Sequence, residues 1–181
     1  MRKTIVSLSD KPTIIEPNVF GDSRGYFFES FNLRNFEKKV GRKVSFVQDN
    51  ESKSSEYVLR GLHYQINHPQ GKLVRVIQGK VFDVCVDMRK RSDSFGQWFG
   101  VELSGKNKKQ FWVPPGFAHG FLVLSKSVIF SYKTTDYWFP EHERILRWND
   151  KSVGISWPIT DKPRLADKDA NGQMLTDAET F

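Results

Sequence analysis

Four histidines occur in the chain, His63, His68, His119 and His142, and two of them sit among residues that can do chemistry. His63 lies in "RGLHYQ", Arg60 to Gln65, beside an arginine and just ahead of a strongly β-patterned region. It can be a general base, a metal ligand or a packed core residue. His119 ends the run "FWVPPGFAH", in which a Pro-Gly turn precedes it.

Proton transfer next to a carbonyl is one chemistry these surroundings suit. An α-carbon proton is too weakly acidic for imidazole alone, so such a site also needs a cation or donor for the enolate oxygen and an acid that returns the proton. His63 suits the base, especially if a carboxylate fixes its tautomer. Lys72 suits the enolate, and Tyr132, in "SYKTTDYW", suits the acid, because a phenol is protonated at neutral pH. Inversion requires base and acid on opposite faces of the substrate carbon. Taken singly, Tyr132 reads as a strand aromatic and Lys72 as a solvated strand-end residue.

The elements that must position these groups are mostly strands. Fifteen Phe and five Trp among short β-branched runs, with Gly and Pro between them, favour a sheet protein. Short strands are expected at Thr13–Glu16 and Gly25–Phe31. A helix should follow, capped by Asn32, with Leu33, Phe36 and Val40 on one side and Gly41 at its end. The period changes to that of strands from Val44. "KLVRVIQGKVFDVCVDMR" reads as a hairpin turning at Gln78-Gly79. Its second strand alternates Phe82, Val84, Val86 and Met88 with Val81, Asp83, Cys85 and Asp87. The acidic residues of the latter face are expected at the solvent, the other reading being a polar cavity inside a barrel. Further strands follow at "FGVELS", "KQFWVPPG", "GFLVLS" and "VIFSYKTTDYW", a spacing that indicates a sandwich or barrel.

A length of 181 residues without repeats or linker-like stretches points to a single domain, 1–181. The net charge of +7 is spread along the chain without a nucleic-acid motif. A solvated basic surface is the first reading, and an anionic, phosphorylated small molecule the second. No run approaches the roughly 20 apolar residues that span a bilayer, and the start "MRKTIVSLSDKP" lacks a signal-length apolar stretch. The lone Cys85 reads as a packed thiol in a reducing compartment. A cytoplasmic protein, without membrane or nucleic-acid partners, is expected.

Pro114-x-Gly116-x-x-His119 resembles the second metal-binding signature of the cupin jelly rolls. The first signature would supply two His and a Glu, but here Gln65 replaces the second His, and Pro69 and Gln70 stand where the Glu would be. A divalent site normally wants three or more ligands, and the ammonium of Lys72 opposes a bound cation. The expected fold is all-β, a cupin-type jelly-roll barrel with a few short helices, with no metal and no other cofactor.

From Pro17 to Asp169 the chain further resembles the dTDP-4-dehydrorhamnose 3,5-epimerase family. The resemblance rests on "FGDSRGYFFESF", "FVQDN", "LRGLHYQ", "QGKLVRVIQGKVFDVCVDMR", "FGQW", "FWVPPGFAHGF", "SYKTTDYW", "RWND" and "WPITDKPRLADKDA", in that order. It implies His63 as base, Tyr132 as proton donor, Asp169 as the carboxylate paired with the base, and Lys72 near the keto oxygen. It places His119 in the sugar pocket and Arg24, Glu29, Gln48, Asp49, Asn50, Arg60, Glu143 and Lys168 at substrate-binding positions. Arg24 and Arg60 can each offer forked donors to a diphosphate. Gln48 and Asn50 can meet the edge of a base, and Tyr137 or Trp138 can stack on it. Ala166 departs from an expected Ser.

The implied reaction inverts C3 and C5 of dTDP-4-dehydro-6-deoxyglucose, on the route to dTDP-L-rhamnose, in a homodimer whose N-terminal strands pack on the partner. Three rivals stand beside it: a single-carbon epimerase, a metal-dependent cupin, and a non-catalytic nucleotide-sugar binding module. The joint presence of His63, Lys72, Tyr132 and Asp169 argues against the last.

Overall fold

The computed structural model describes residues 10–181, and the basic start of the chain, residues 1–9, lies outside them. The strands run, in chain order, β1 (Thr13–Ile15), β2 (Val19–Asp22), β3 (Gly25–Phe28), β4 (Gln48–Ser55), β5 (Leu59–Gln65) and β6 (Lys72–Gln78). After these come β7 (Lys80–Asp87), β8 (Trp98–Ser104), β9 (Gln110–Val113), β10 (Phe117–Val123), β11 (Ser127–Thr134) and β12 (Glu143–Ile145). They form two five-stranded sheets, ordered β1-β9-β6-β11-β4 and β12-β5-β10-β7-β8, and a separate hairpin, β2-β3. All these pairings are antiparallel. The all-β, jelly-roll class expected from the sequence is the one observed.

A shared core binds the two sheets face to face. Val74, Phe111 and Phe130 from the first pack with Val81, Cys85 and Phe121 from the second. Burying such side chains contributes roughly 1.5–3 kcal/mol each. The alternation along β7 is therefore as read, but its acidic face points inward. Asp83 and Asp87 are fully buried, so the expectation that they meet solvent is corrected. A carboxylate is tolerated there only with donors. Asp87 has them in Arg89 Nη2 and the hydroxyls of Ser92 and Ser94, each at 2.7 Å. The opposite face of β7 places Val86 and Met88 in a second core with Leu62, Tyr64 and Leu146, flanked by Trp157, Leu175 and Phe181.

Helix α1 (Leu33–Val40) forms where expected. Asn32 Oδ1 accepts from the Asn35 N–H at 3.2 Å, and Gly41 ends the helix in the left-handed region. Its buried side, Phe36 and Val40, packs with Leu73 and Trp112 outside the first sheet. Several boundaries differ from expectation: β1 stops at Ile15, β3 at Phe28, β9 at Val113 and β11 at Thr134, and the stretch from Val44 stays irregular until Gln48. Phe31, Val44 and Phe46 are held by packing against the α1 cluster instead of by strand pairing.

The turn at Gln78-Gly79 is also where expected, yet it does not make a hairpin. β6 and β7 belong to different sheets, so the chain turns a corner there. Gly79 has φ +86, and a Cβ on it would lie 2.1 Å from the Ser127 carbonyl oxygen. Both strands carry apolar side chains that suit either arrangement, and packing across the core selects the corner.

A bulge decides which residues of β5 face the barrel. His119 of β10 lies opposite His63, but Phe121 lies opposite Arg60, so two steps along β10 match three along β5. Simple alternation would send Arg60 and His63 to opposite faces; the extra residue brings both to the same one. The backbones meet closely where this happens. Gly61 has φ +123, and a Cβ on it would sit 2.6 Å from Gly120 Cα and 2.7 Å from the His119 carbonyl oxygen. Because these neighbours are backbone, Gly61→Ala is expected to lower unfolding free energy by roughly 2–4 kcal/mol, read from urea denaturation, and to reduce activity in the protein that remains folded.

Candidate active site

A cavity of about 380 Å³ opens between the sheets, and it gathers most of the residues singled out in the sequence. Gln48, Asn50, Arg60, His63, Lys72, His119, Tyr132, Trp138, Glu143, Lys168 and Asp169 all line it. The strands supply them by parity. Gln48 and Asn50 alternate along β4 beside Tyr132 of β11, which pairs with Asn50 on one side and Val74 on the other. Lys72 begins β6, two residues before Val74 on the same face.

His63 Nε2 and Asp169 Oδ1 are 2.6 Å apart, with Asp169 almost wholly buried. Asp169 is placed by helix α2 (Asp167–Ala170), a single short turn whose Asp169 N–H donates to the Ala166 carbonyl at 3.0 Å. An ionised carboxylate accepts, so Nε2 carries the hydrogen and Nδ1 is left as the basic nitrogen. Asp169 also sits where a carboxylate would stabilise an imidazolium at His63.

Lys72 donates from Nζ to the His63 carbonyl at 3.2 Å. At 7% exposure it is not the solvated strand-end residue that its isolated sequence context indicated. Burial lowers its pKa to about 8, with Glu143 and Asp83 acting against that shift. Tyr132 shifts the opposite way. Burial and then Glu143 raise its pKa, outweighing Arg60, so it remains a protonated phenol at neutral pH. Glu143 itself accepts from Lys168 Nζ at 2.9 Å.

His119 lies beside His63 in the β10–β5 register, and its Nε2 is 2.9 Å from Asp83 Oδ1. Burial pushes the Asp83 carboxyl up, against the pull of His119 and Lys72, and its Oδ2 has no partner among the described residues. The sequence reading missed Asp83 as a site residue. Its place on one face with Val81 and Cys85 was the signal that could have found it.

Other expected residues fall elsewhere. Arg24 is paired with Asp22 on the exposed hairpin, Nη2 to Oδ2 at 2.6 Å, and Glu29 accepts from Asn32 Nδ2 at 3.2 Å. Neither lines this chain's cavity. Asp49 points away from it and accepts from Lys133 Nζ at 2.9 Å. Tyr137 is also off the lining, whereas Trp138 is on it. Arg60 donates from Nε to Ser54 Oγ at 3.0 Å, which fixes the fork and leaves its terminal nitrogens for an anion.

The donor set does not fit a divalent cation. His63 and His119 are each paired with a carboxylate, Gln65 stands where a second histidine ligand would be, and a buried ammonium shares the space. Among the described residues no group of three His, Cys, Asp or Glu is arranged to hold a metal. What the cavity offers instead is a carboxylate-paired histidine on one sheet and a phenol and an ammonium on the other.

Fold and site together define a cupin-type barrel of the sugar-isomerase kind. A family model described as dTDP-4-dehydrorhamnose 3,5-epimerase matches residues 8–177. A dTDP-4-dehydrorhamnose 3,5-epimerase of Pseudomonas aeruginosa is 56% identical over 181 residues, 100% of this chain and 99% of the relative. The crystal structure of dTDP-6-deoxy-D-glucose-3,5-epimerase from Legionella pneumophila, in complex with dTDP-4-keto-L-rhamnose, superposes with a TM-score of 0.90 at 51% identity, covering 93% of this chain and 89% of that one. A 3'-monoepimerase from Streptomyces bikiniensis in complex with dTDP-quinovose gives 0.85 at 30%, covering 91% and 84%. The chain belongs to the dTDP-4-dehydrorhamnose 3,5-epimerase family, a family of isomerases.

The Lys72 shift yields a pH test. With a folded pKa of about 8, its ammonium is lost as pH rises through that value, while Tyr132 stays protonated well above it. kcat/KM is expected to fall along an alkaline limb near pH 8. Lys72→Arg should move this limb upward, and an unmoved limb would assign it to another group.

Proposed function

We propose that the protein inverts C3 and C5 of dTDP-4-dehydro-6-deoxyglucose, giving dTDP-4-dehydro-L-rhamnose. The observation that carries this reading is the placement of His63 on β5 and Tyr132 on β11, in opposing sheets with the cavity between them. An epimerase needs base and acid on opposite faces of one carbon, and facing sheet walls supply that arrangement.

His63 Nδ1 removes the proton next to the 4-keto group, and Asp169 stabilises the resulting imidazolium. The electron pair moves onto the keto oxygen, where the Lys72 ammonium neutralises it. Tyr132 returns a proton from the other side and is reprotonated from solvent, to which the His63 imidazolium gives up the proton it took. The keto group activates both neighbouring carbons, so the same base and acid serve C3 and C5 in turn. Arg60 and Lys168 take the diphosphate, Gln48 and Asn50 the edge of thymine, and Trp138 its face.

The chain acts as a single domain in a cytoplasmic homodimer. Support for the dimer comes from the β2–β3 hairpin, where Val19, Phe20, Tyr26 and Phe27 are exposed together. Laid across a second copy, the hairpin carries Arg24 and Glu29 to the partner's cavity, which explains their distance from their own. The free, buried Cys85 suits a reducing compartment.

Incubation of the protein with dTDP-4-dehydro-6-deoxyglucose in heavy water, followed by NMR, is expected to place deuterium at both C3 and C5. Incorporation at C3 alone would reassign the chain to single-carbon epimerases. His63→Ala should lower kcat by roughly 1,000-fold or more with dTDP binding retained, and near-normal turnover would remove His63 as base. Tyr132→Phe should still wash deuterium out of labelled substrate while forming little inverted product; unchanged product formation would point to a different acid.

A further inference from the structure

The β11–β12 connection forms part of the cavity mouth through Trp138, whose side chain lines the pocket although the residue is 55% exposed. An exposed aromatic on a connecting segment stacks well on a base only if its backbone is held. Gln65 supplies much of that hold. Its residue is 3% exposed, and its Nε2 donates to the His68 carbonyl at 2.8 Å and the Tyr137 carbonyl at 3.1 Å. Its Oε1 accepts from the Phe139 N–H at 2.8 Å. The amide thus brackets Trp138, bonding the residue before it and the residue after it, and both Nε2 hydrogens are engaged, so no donor remains for substrate. Two other amides complete the clasp: Gln70 Nε2 donates to the Asp136 carbonyl at 2.9 Å, and Gln48 Oε1 accepts from the Trp138 N–H at 3.3 Å.

We propose that Gln65 is a positioning residue for nucleotide recognition, fixing Trp138 at the mouth while His63, two residues earlier on the same strand, does the proton transfer. The proposal rests on the reading of the cavity as a dTDP-sugar site. It assigns a loop-bracing role to the position where a metal-binding cupin would carry a histidine ligand.

The experiment measures dTDP affinity by titration calorimetry, together with KM and kcat, for Gln65→Glu and Gln65→Met in otherwise unchanged full-length protein. Glutamate loses the paired donors, and methionine keeps the length without either polar atom, so a failure of one variant to fold leaves the other as the test. Losing buried hydrogen bonds that hold the stacking residue is expected to weaken dTDP binding about tenfold or more and to raise KM in parallel, with kcat within about threefold of the unchanged protein. In a Trp138→Ala background the same change at Gln65 should alter dTDP affinity by less than about twofold. Unchanged dTDP affinity, an equal loss with and without Trp138, or a fall in kcat at unchanged affinity would overturn the proposal. If the unchanged protein bound dTDP but washed no deuterium into the sugar, the proposed reaction would fall, and the calorimetric comparison would still decide the role of Gln65.

Discussion

The 2.6 Å contact between His63 Nε2 and Asp169 Oδ1 joins residues 106 positions apart, and the arrangement of the site follows from keeping it. Asp169 is buried, so an unpaired carboxylate there would lose its hydration without compensation. The short helix carrying it must lie against β5, and the β5 strand must present His63 inward. The β-bulge at Gly61 and Gly120 satisfies the second condition and brings Arg60 to the same cavity. One local irregularity thereby turns both the proposed base, His63, and the Arg60 fork toward the cavity.

Around that contact the barrel holds ionisable side chains that a purely apolar core would exclude. Lys72, Asp83 and His119 are buried together, and each alters the protonation of its neighbours. The ammonium of Lys72 is weakened enough to titrate near working pH but is retained by Glu143 and Asp83. The Tyr132 phenol is strengthened in its protonated form by the same burial. Desolvation favours the neutral form of both groups, lowering the pKa of the ammonium and raising that of the phenol, so at neutral pH Tyr132 keeps its proton and Lys72 keeps most of its charge against that pull.

The Trp138 end of the cavity is built differently, from amides instead of charges. Gln48, Gln65 and Gln70 bond backbone groups of the Asp136–Phe139 stretch, which gives an exposed tryptophan a fixed place without a strand to hold it. The β2–β3 hairpin is held differently: the Tyr26 hydroxyl accepts from Lys108 Nζ at 2.9 Å, while Phe20 and Phe27 stay exposed.

The sequence by itself determined the strand-rich class, helix α1 with its caps, the apolar alternation of β7, and the local motifs around His63, Lys72, Tyr132 and Asp169. These are legible because strand parity and capping chemistry act over a few residues. Tertiary structure decided what depends on distant partners: β6 and β7 part into different sheets, Asp83 and Asp87 turn inward to donors, and Lys72 is buried instead of solvated. It also placed His63 and Tyr132 on facing walls and left Arg24, Glu29, Asp49 and Tyr137 off the lining. No local pattern reports these outcomes, because the sign of a buried charge's effect and the face a strand presents are set by whatever packs against it from elsewhere in the chain.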